Sequence, residues 1–463
     1  MSHGRSNVYK FWVYLQYRAA YFLVAAVFWL ATSNSSFALD AFPGAAGHGS
    51  QSEGGRGGEI IFVTNLDDSG PGSLRACVEE TMKRNCVFRV GGIIHLKKPI
   101  GIRADNGNLS LLGQTAPGSG ITLAIDPQIT AMSTLFFLKN THDVVIRHVK
   151  VRLQAPGTTR RADAITVENS KRVYLDHVSG SWATDEVVST YANTTDFTVA
   201  NSIFAEGIMP HSKCALLGSD PRQPQNITFW RNACISNNDR NPDDNHYKGS
   251  CIEIVNNIFF NARSEFAEVF SQFPGGTPIT FMSNYFKAGP STRESTYAIM
   301  WKEIDGVAMP QIYQQGNAVW APKSKTMEVY EPKMADHFAN EPTCPVRVPV
   351  VSAEQAYAEV LNHSGAFPRD DVDKRVVAEV GQLNHEGSGT IKTLAGQIEE
   401  VAMSTNAYAD KDNDGIADAK EKDFTGNSEI FDPWSVSDKD GWTNFDRFMQ
   451  WLSDERIAGR YVE

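Results

Sequence analysis

The sequence predicts an all-β chain wound as a parallel solenoid, a β-helix, with a small acidic segment at its C-terminal end. Three observations carry this reading. From about residue 140 an apolar, any, apolar triplet recurs at Val144-Val145-Ile146, Val173-Tyr174-Leu175, Phe197-Thr198-Val199, Ile227-Thr228-Phe229, Ile252-Glu253-Ile254, Ile279-Thr280-Phe281 and, more weakly, Ile312-Tyr313-Gln314. Successive starts are 29, 24, 30, 25, 27 and 33 residues apart, a repeat period two to three times the roughly 8 to 12-residue turn spacing of an antiparallel sandwich. Asparagine then follows at one offset, as Asn232, Asn257, Asn284 and, in the weak seventh repeat, Asn317. Equivalent amides in a stack of coils can bond from coil to coil, so these asparagines are read as structural. A single coil cannot bury its own apolar face, and stacking supplies one continuous core. Long loops on one side of such a ladder are where a groove is expected.

The N-terminus is a separate matter. Three bases and no acid occupy residues 1–38, the apolar run Ala19 to Ala31 follows the bases, and Ser36-Phe37-Ala38 has the small-x-small form of a cleavage site. This predicts a secretory signal peptide over 1–38, since the run is shorter than the ~20 apolar residues of a spanning helix. The mature protein is expected to be secreted, extracellular, monomeric and free of the membrane. The chain of 463 residues carries 43 Lys+Arg against 54 Asp+Glu, a net charge of −11. Without the three bases of 1–38 the remainder stands at −14, half of it in the last 63 residues. Such a balance excludes a nucleic-acid clamp, and 41% hydrophobic residues suffice for a large core.

Next in order comes the β-helix, 39–330, with Ser73 to Lys83 as an amphipathic helix placed to close the open first coil. All six cysteines lie beyond residue 38; Cys77 and Cys86, nine apart, are the expected disulfide, and none has zinc-site spacing. The sequons at Asn108, Asn193, Asn226 and Asn362 predict a glycoprotein in a glycosylating host. Residues 331–400 form an extension without a motif. In the acidic segment 401–463, the run Asp410 to Glu421 fits a twelve-residue calcium loop. Asp410, Asp412, Asp414, Asp418 and Glu421 stand at positions 1, 3, 5, 9 and 12, Gly415 at the sharp turn, and Ile416 offers its carbonyl. This site is expected to be structural.

Between Arg160 and Lys248 polar residues gather at the ends of successive strands: Arg160-Arg161-Ala162-Asp163, Asp176-His177, Asp185-Glu186, His211-Ser212-Lys213 and Asp239-Arg240-Asn241-Pro242. Carboxylates on neighbouring strands would lie about 4.8 Å apart, which suits a hard cation with oxygen ligands. Asp176-His177 reads as a buried satisfied pair. Asp185 and Glu186, adjacent on a strand, are expected to point to opposite faces, which argues against the paired carboxylates of a hydrolase.

These residues reach a known family. Ala41-Phe42-Pro43-Gly44-Ala45, Gly54-Gly55-Arg56-Gly57-Gly58, Val63 to Arg75, Gly113-Gln114-Thr115-Ala116-Pro117-Gly118, Asp176-His177-Val178-Ser179, Ser181-Trp182 and Arg240-Asn241-Pro242 together resemble the secreted pectate lyases of polysaccharide lyase family 1. The likeness runs from Ala41 to about Asn284 and resumes near Asp410. It implies a right-handed β-helix that cleaves de-esterified homogalacturonan (polygalacturonate) by calcium-dependent β-elimination, giving 4,5-unsaturated oligogalacturonides. By motif position Arg240 matches the proton-abstracting base and Lys213 the lysine that contacts the substrate carboxylate. Asp163 and Asp185 match Ca²⁺ ligands, with Glu186 a third. Ca²⁺ and Lys213 are expected to favour the neutral form of Arg240, with higher activity at alkaline pH. The chain departs from the family at Asn245, where a second arginine is usual; His246 and Lys248 are the candidates to fill that substrate-binding role. It departs also at Arg161 and Ser189, which weakens the protein's share of the ion's coordination. The alternatives are a lyase or hydrolase for another uronic-acid polymer, or a non-catalytic β-helix that binds glycan.

Overall fold

The computed structural model describes residues 39–153, 161–304, 308–425, 432–436 and 439–461. The expected export signal and Arg160 lie outside them. Asp40–Glu463 forms one compact unit. Its strands build three parallel sheets, one of ten strands and two of nine. Each coil contributes one strand to each sheet, as Lys171–Asp176 to the first, Glu186–Tyr191 to the second and Ser179–Ser181 to the third. All seven triplets lie in the first sheet, paired in register, with Val144 against Val173, Phe197 against Ile227 and Ile279 against Ile312. Their inward side chains join one buried core with those of the other sheets. Parallel strands covered on both faces are rich in Val, Ile and Phe because neither face meets water.

The asparagine ladder forms as expected. Asn232 Nδ2 donates to Asn257 Oδ1 at 3.2 Å, Asn257 Nδ2 to Asn284 Oδ1 at 3.0 Å, and Asn284 Nδ2 to Asn317 Oδ1 at 2.9 Å. Each amide nitrogen also reaches a strand carbonyl, Val199, Phe229 and Ile254. The ladder occupies the turn from the first sheet to the third. There one residue per coil takes a left-handed conformation, including Arg231, Asn256 and Ser283 with φ of 56°, 55° and 51°. A side chain that saturates the buried turn offsets the cost of that conformation.

The helix at the first coil is shorter than expected: it spans Leu74–Glu79, with Ser73 Oγ accepting from Ala76 N at its start. Glu80 is extended because the chain must already turn to pair Arg84–Phe88 in the first sheet. Cys77 and Cys86 form the expected disulfide, joined by Cys214–Cys234 and Cys251–Cys344.

Two further helices, Ala353–His363 and Asp371–Val380, lie on the third sheet, where Tyr357, Val360, Val376 and Val380 bury Ile203, Ile235, Ile258 and Tyr285. From there the chain runs as a strap along the solenoid. Ile391 N bonds Ser291 Oγ, Lys392 O accepts from Met209 N, and Ser404 pairs with Gly91. The last helix, Asn444–Ile457, opens on a Thr443–Asp446 capping box and packs Phe445, Phe448 and Leu452 against Val87 and Leu112 of the first coils. Among the described residues no helix is long and apolar enough to cross a membrane.

Candidate active site

The candidate site residues gather on the second sheet. Asp163, Glu186 and Lys213 open three consecutive strands, Asp163–Glu168, Glu186–Tyr191 and Lys213–Ser219, with Glu186 in register with Lys213. Arg240 stands in the next coil, just beyond a bridge between Lys213 and Asp239. The period of the repeat therefore brings together side chains spread over nearly eighty residues.

Glu186, almost wholly buried, is the hub. Its Oε1 accepts from Arg240 Nη1 at 2.5 Å and lies 3.6 Å from Lys213 Nζ. Lys213 Nζ is also 3.2 Å from Asp185 Oδ1. The strand-alternation expectation for Asp185 and Glu186 is corrected here. Asp185 sits in the bend before the strand, its N–H on Ala162 O at 3.1 Å, so alternation does not act on it and both carboxylates face Lys213.

Asp163, Asp185 and Glu186 each offer an oxygen within 4.8 Å of the others. Burial and the charge of Glu186 push the Asp163 carboxyl up to about 7, against hydrogen bonds from Ser189 Oγ at 2.5 Å and Thr166 Oγ1 at 3.0 Å. Asp185 Oδ1 is buried, and its partner is the Lys213 ammonium. A desolvated all-oxygen set is the chemistry a hard divalent cation takes, so the residues fit calcium.

Arg240, in a left-handed conformation with φ of 52°, is fixed from three coils. Besides Glu186, its Nε lies 3.0 Å from Asp243 Oδ2 in an ion pair and its backbone N donates to Glu268 Oε2 at 2.8 Å. Burial works against its charge, but Asp243, Glu186 and Glu268 outweigh burial and raise its pKa above the ordinary value. Among the protein's own groups these carboxylates outweigh Lys213 and hold Arg240 as a cation, so the expected shift toward the neutral form would have to come from the calcium charge. Burial in turn pushes Asp243 up to about 8, with Asp244 and Glu186 adding to it and Arg240 opposing, and pushes Glu268 up to about 9 with help from Glu265.

His246 is corrected as a substrate contact. It is 0% exposed, its Nδ1 against Gln225 Oε1 at 2.7 Å, and burial lowers its pKa to about 3. The strand Asp243–Asp244 ends just before it, and the following turn folds its ring under Gly218. Asn245 bonds Gln272 Oε1 at 2.8 Å. Lys248 is exposed, past that strand from Arg240, its stem against Gly275. Asp176 and His177 are buried, with Asp176 on Arg147 Nε at 2.9 Å and on Asn201, a structural pair as expected.

Sequence reasoning missed Asp243 and Glu268. The i, i+3 spacing from Arg240 could have pointed to Asp243. Glu268 arrives from the following coil, 28 residues away, and only stacking reveals it.

In the tail Asp410, Asp412 and Asp414 converge within the same 4.8 Å limit. Asp410 accepts from the N–H groups of Asp414 and Gly415 at 3.1 Å each, Gly415 has φ of 81°, and Asp414 Oδ2 is buried without a partner. Burial raises Asp410 to about 6 and Asp414 to about 7. Asp418 Oδ1 instead takes the N–H of Lys411 at 2.9 Å, and Glu421 opens a short helix outside the group of three. The Ile416 side chain is buried beside Val87 and Phe445. Three converging carboxylates with one orphaned buried oxygen again fit calcium.

The chain is similar to known proteins over most of its length. No family model matches the chain. A protein named "Probable pectate lyase C" from Aspergillus fumigatus is 32% identical over 85% of this chain and 89% of its own length. One of the same name from Aspergillus flavus is 30% identical over 92% and 96%. Among solved structures, jun a 1, the major allergen from cedar pollen, matches with a TM-score of 0.51 at 18% identity, over 70% of this chain and 92% of its own, a likeness of fold.

Proposed function

Because the chain belongs to the pectate lyase family, we propose that it cleaves de-esterified homogalacturonan by β-elimination at the Glu186–Lys213–Arg240 cluster, with calcium as cofactor. The observation that supports this most directly is that Lys213 and Arg240, from consecutive coils, converge on one buried carboxylate. In the reaction the C5 proton of a galacturonate leaves, its electron pair forms the C4=C5 bond, and the C4–O4 bond breaks toward a 4,5-unsaturated end.

Asp163, Asp185 and Glu186 would hold the ion. When bound, calcium supplies positive charge that draws electron density from the C6 carboxylate and so acidifies C5–H. Lys213 Nζ holds that carboxylate and stabilises the charge that develops on it. Arg240 takes the C5 proton, for which it must first release one of its own. Glu186 Oε1 at Nη1 and Asp243 Oδ2 at Nε are the acceptors placed to receive it. Release from a clamped guanidinium is uphill, so the rate depends on Asp243 being ionised. Lys248, exposed after the Asp243–Asp244 strand, is assigned as a further cation for substrate. We assign Asp410, Asp412, Asp414, Ile416, Asp418 and Glu421 to a second, structural calcium site. We also read residues 1–38 as an export signal and the mature chain as a secreted monomer.

The test is to incubate the protein with polygalacturonate, with and without chelator, and follow ultraviolet absorbance of the unsaturated uronide. Elimination raises it; reducing ends without absorbance would show hydrolysis, and neither would show a binder. Arg240→Ala is expected to abolish the signal with the fold intact, and retained turnover would remove Arg240 as the base.

A further inference from the structure

The strap reaches the turn that ends at Asp185 by two routes. Along the backbone, Lys392 pairs with Ile208 in a parallel bridge, Lys392 O accepts from Met209 N at 2.9 Å, and Ile208 N donates to Ala183 O at 2.7 Å. Thr184 N and Asp185 N donate to Ala162 O at 3.0 and 3.1 Å. The turn is therefore gripped between the preceding coil and the following one, and the strap holds the following one. Through side chains, Lys392 Nζ lies 3.2 Å from Glu206 Oε1, and Glu206 Oε2 accepts from Trp182 Nε1 at 2.9 Å. Arg375 completes the set, its Nη1 and Nη2 on the two Glu206 oxygens at 2.8 Å each. Gly396 then closes over the indole: a Cβ there would stand 2.4 Å from Trp182 Cζ2 and 3.0 Å from Cε2.

Trp182 is 1% exposed, packs with Ile208 and Val372 and with Ala395 and Ile398 of the strap, and holds a left-handed φ of 65°. Such a conformation in a bulky residue persists only where its surroundings over-determine it, and here the strap supplies part of them. Three residues on, Asp185 lies 3.2 Å from Lys213 Nζ and offers an oxygen within 4.8 Å of those of Asp163 and Glu186. A close-packed interior passes a displacement on instead of absorbing it, and a misplacement of about 1 Å at a reacting group can cost about a hundredfold in rate. We propose that Lys392 and Gly396 of the strap are positioning residues for the Asp185 turn, setting where its carboxylate enters the ion group while touching neither ion nor substrate. This rests on the reading of Asp185 as an ion ligand and goes past it, since it gives the extension 331–400, which carries no motif in the sequence, a part in the site.

The experiment compares wild type, Gly396→Ala and Lys392→Met, with Leu394→Ala, a strap residue 77% exposed, as the control. Calcium is titrated into the unsaturated-product assay at saturating polygalacturonate and at a temperature where each protein is folded by circular dichroism. Gly396→Ala is expected to raise the calcium concentration of half-maximal activity about tenfold, and Lys392→Met, which keeps the strap carbonyl and removes only the ammonium, about threefold. Leu394→Ala should match wild type. A strap that merely covers the sheet would lower the melting temperature and leave the calcium dependence in place. Half-activation within about twofold of wild type in every folded variant, or an equal rise in Leu394→Ala, therefore overturns the positioning role. Should Gly396→Ala not fold, Lys392→Met decides alone. If wild type itself releases no unsaturated product, the lyase reading fails separately. The strap is then judged by calorimetric calcium binding in an Asp412→Ala background, which removes the tail loop's contribution: weaker binding after the strap substitutions supports it, and equal binding or none overturns it.

Discussion

Glu186 Oε1 and Arg240 Nη1 meet at 2.5 Å across two coils, with the acid buried and the base partly open to solvent. That contact makes Glu186 serve two demands, holding the proposed base in place and contributing an oxygen to the metal group. Glu186→Gln keeps the shape and removes the charge. It is expected to lower kcat/KM about a hundredfold or more and to shift the calcium titration of activity to higher concentration. An unchanged calcium dependence would remove Glu186 from the ion.

Asp243 is expected to give the activity its pH dependence. Burial pushes it up to about 8, and only its ionised form can relieve Arg240 Nε of a proton, so turnover should climb as pH rises through about 8. Asp243→Asn is expected to cost about a hundredfold in kcat and to remove that climb. A rate maximum on the acid side in wild type would place the base elsewhere.

Stability should follow a different group. Burial lowers His246 to about 3 and His48 to about 4 from the ordinary 6.5. Below about 6.5 the unfolded chain therefore binds protons that the fold refuses, and this part of stability is present above 6.5 and lost as pH falls toward 3 to 4. The raised carboxyls Asp243 and Glu268 act in the opposite sense, losing stability as pH rises toward 8 to 9. The informative measurement is thus the slope of urea-unfolding free energy between pH 7.5 and 4 in His246→Gln against wild type. A shallower slope in the variant is expected, by a few kcal/mol over the range; equal slopes would show that His246 contributes none of it.

Asn257 both donates to Asn284 and accepts from Asn232 in the buried ladder. Asn257→Ala strands the Asn232 N–H and the Phe229 carbonyl, at about 1 to 3 kcal/mol each. Thermal melting should show a drop of several degrees, with the polygalacturonate KM of the remaining folded protein retained. A loss within about 0.5 kcal/mol, the range of ordinary surface changes, would demote the ladder to a packing feature.

The tail loop should respond to calcium independently of turnover. Its Ile416 sits in the cluster that joins the final helix to Val87 and Leu112 of the first coils, so ion binding there is expected to tighten the end of the solenoid. Asp412→Ala is expected to lower the melting temperature in calcium by a few degrees while activity at low temperature persists. Loss of activity in proportion to stability would deny the separation of the two sites.

The repeat was legible because the physics behind it is local and periodic: a strand buried on both faces must be apolar, and one coil repeats the next, so Val173, Phe197 and Ile227 announce the first sheet. The calcium-loop pattern is written at fixed spacings, whereas Asp163, Lys213 and Arg240 stood out only through the motifs that resemble a known family. What the linear chain left open was direction and burial. Asp185 turns toward Lys213 because it precedes its strand, His246 is folded under Gly218, and Arg240 is clamped by carboxylates from three coils. Glu268 acquires its role only through a neighbour a full coil away. Local patterning selects the solenoid, whereas the charge state and company of each side chain depend on through-space contacts that exist only once the coils are stacked.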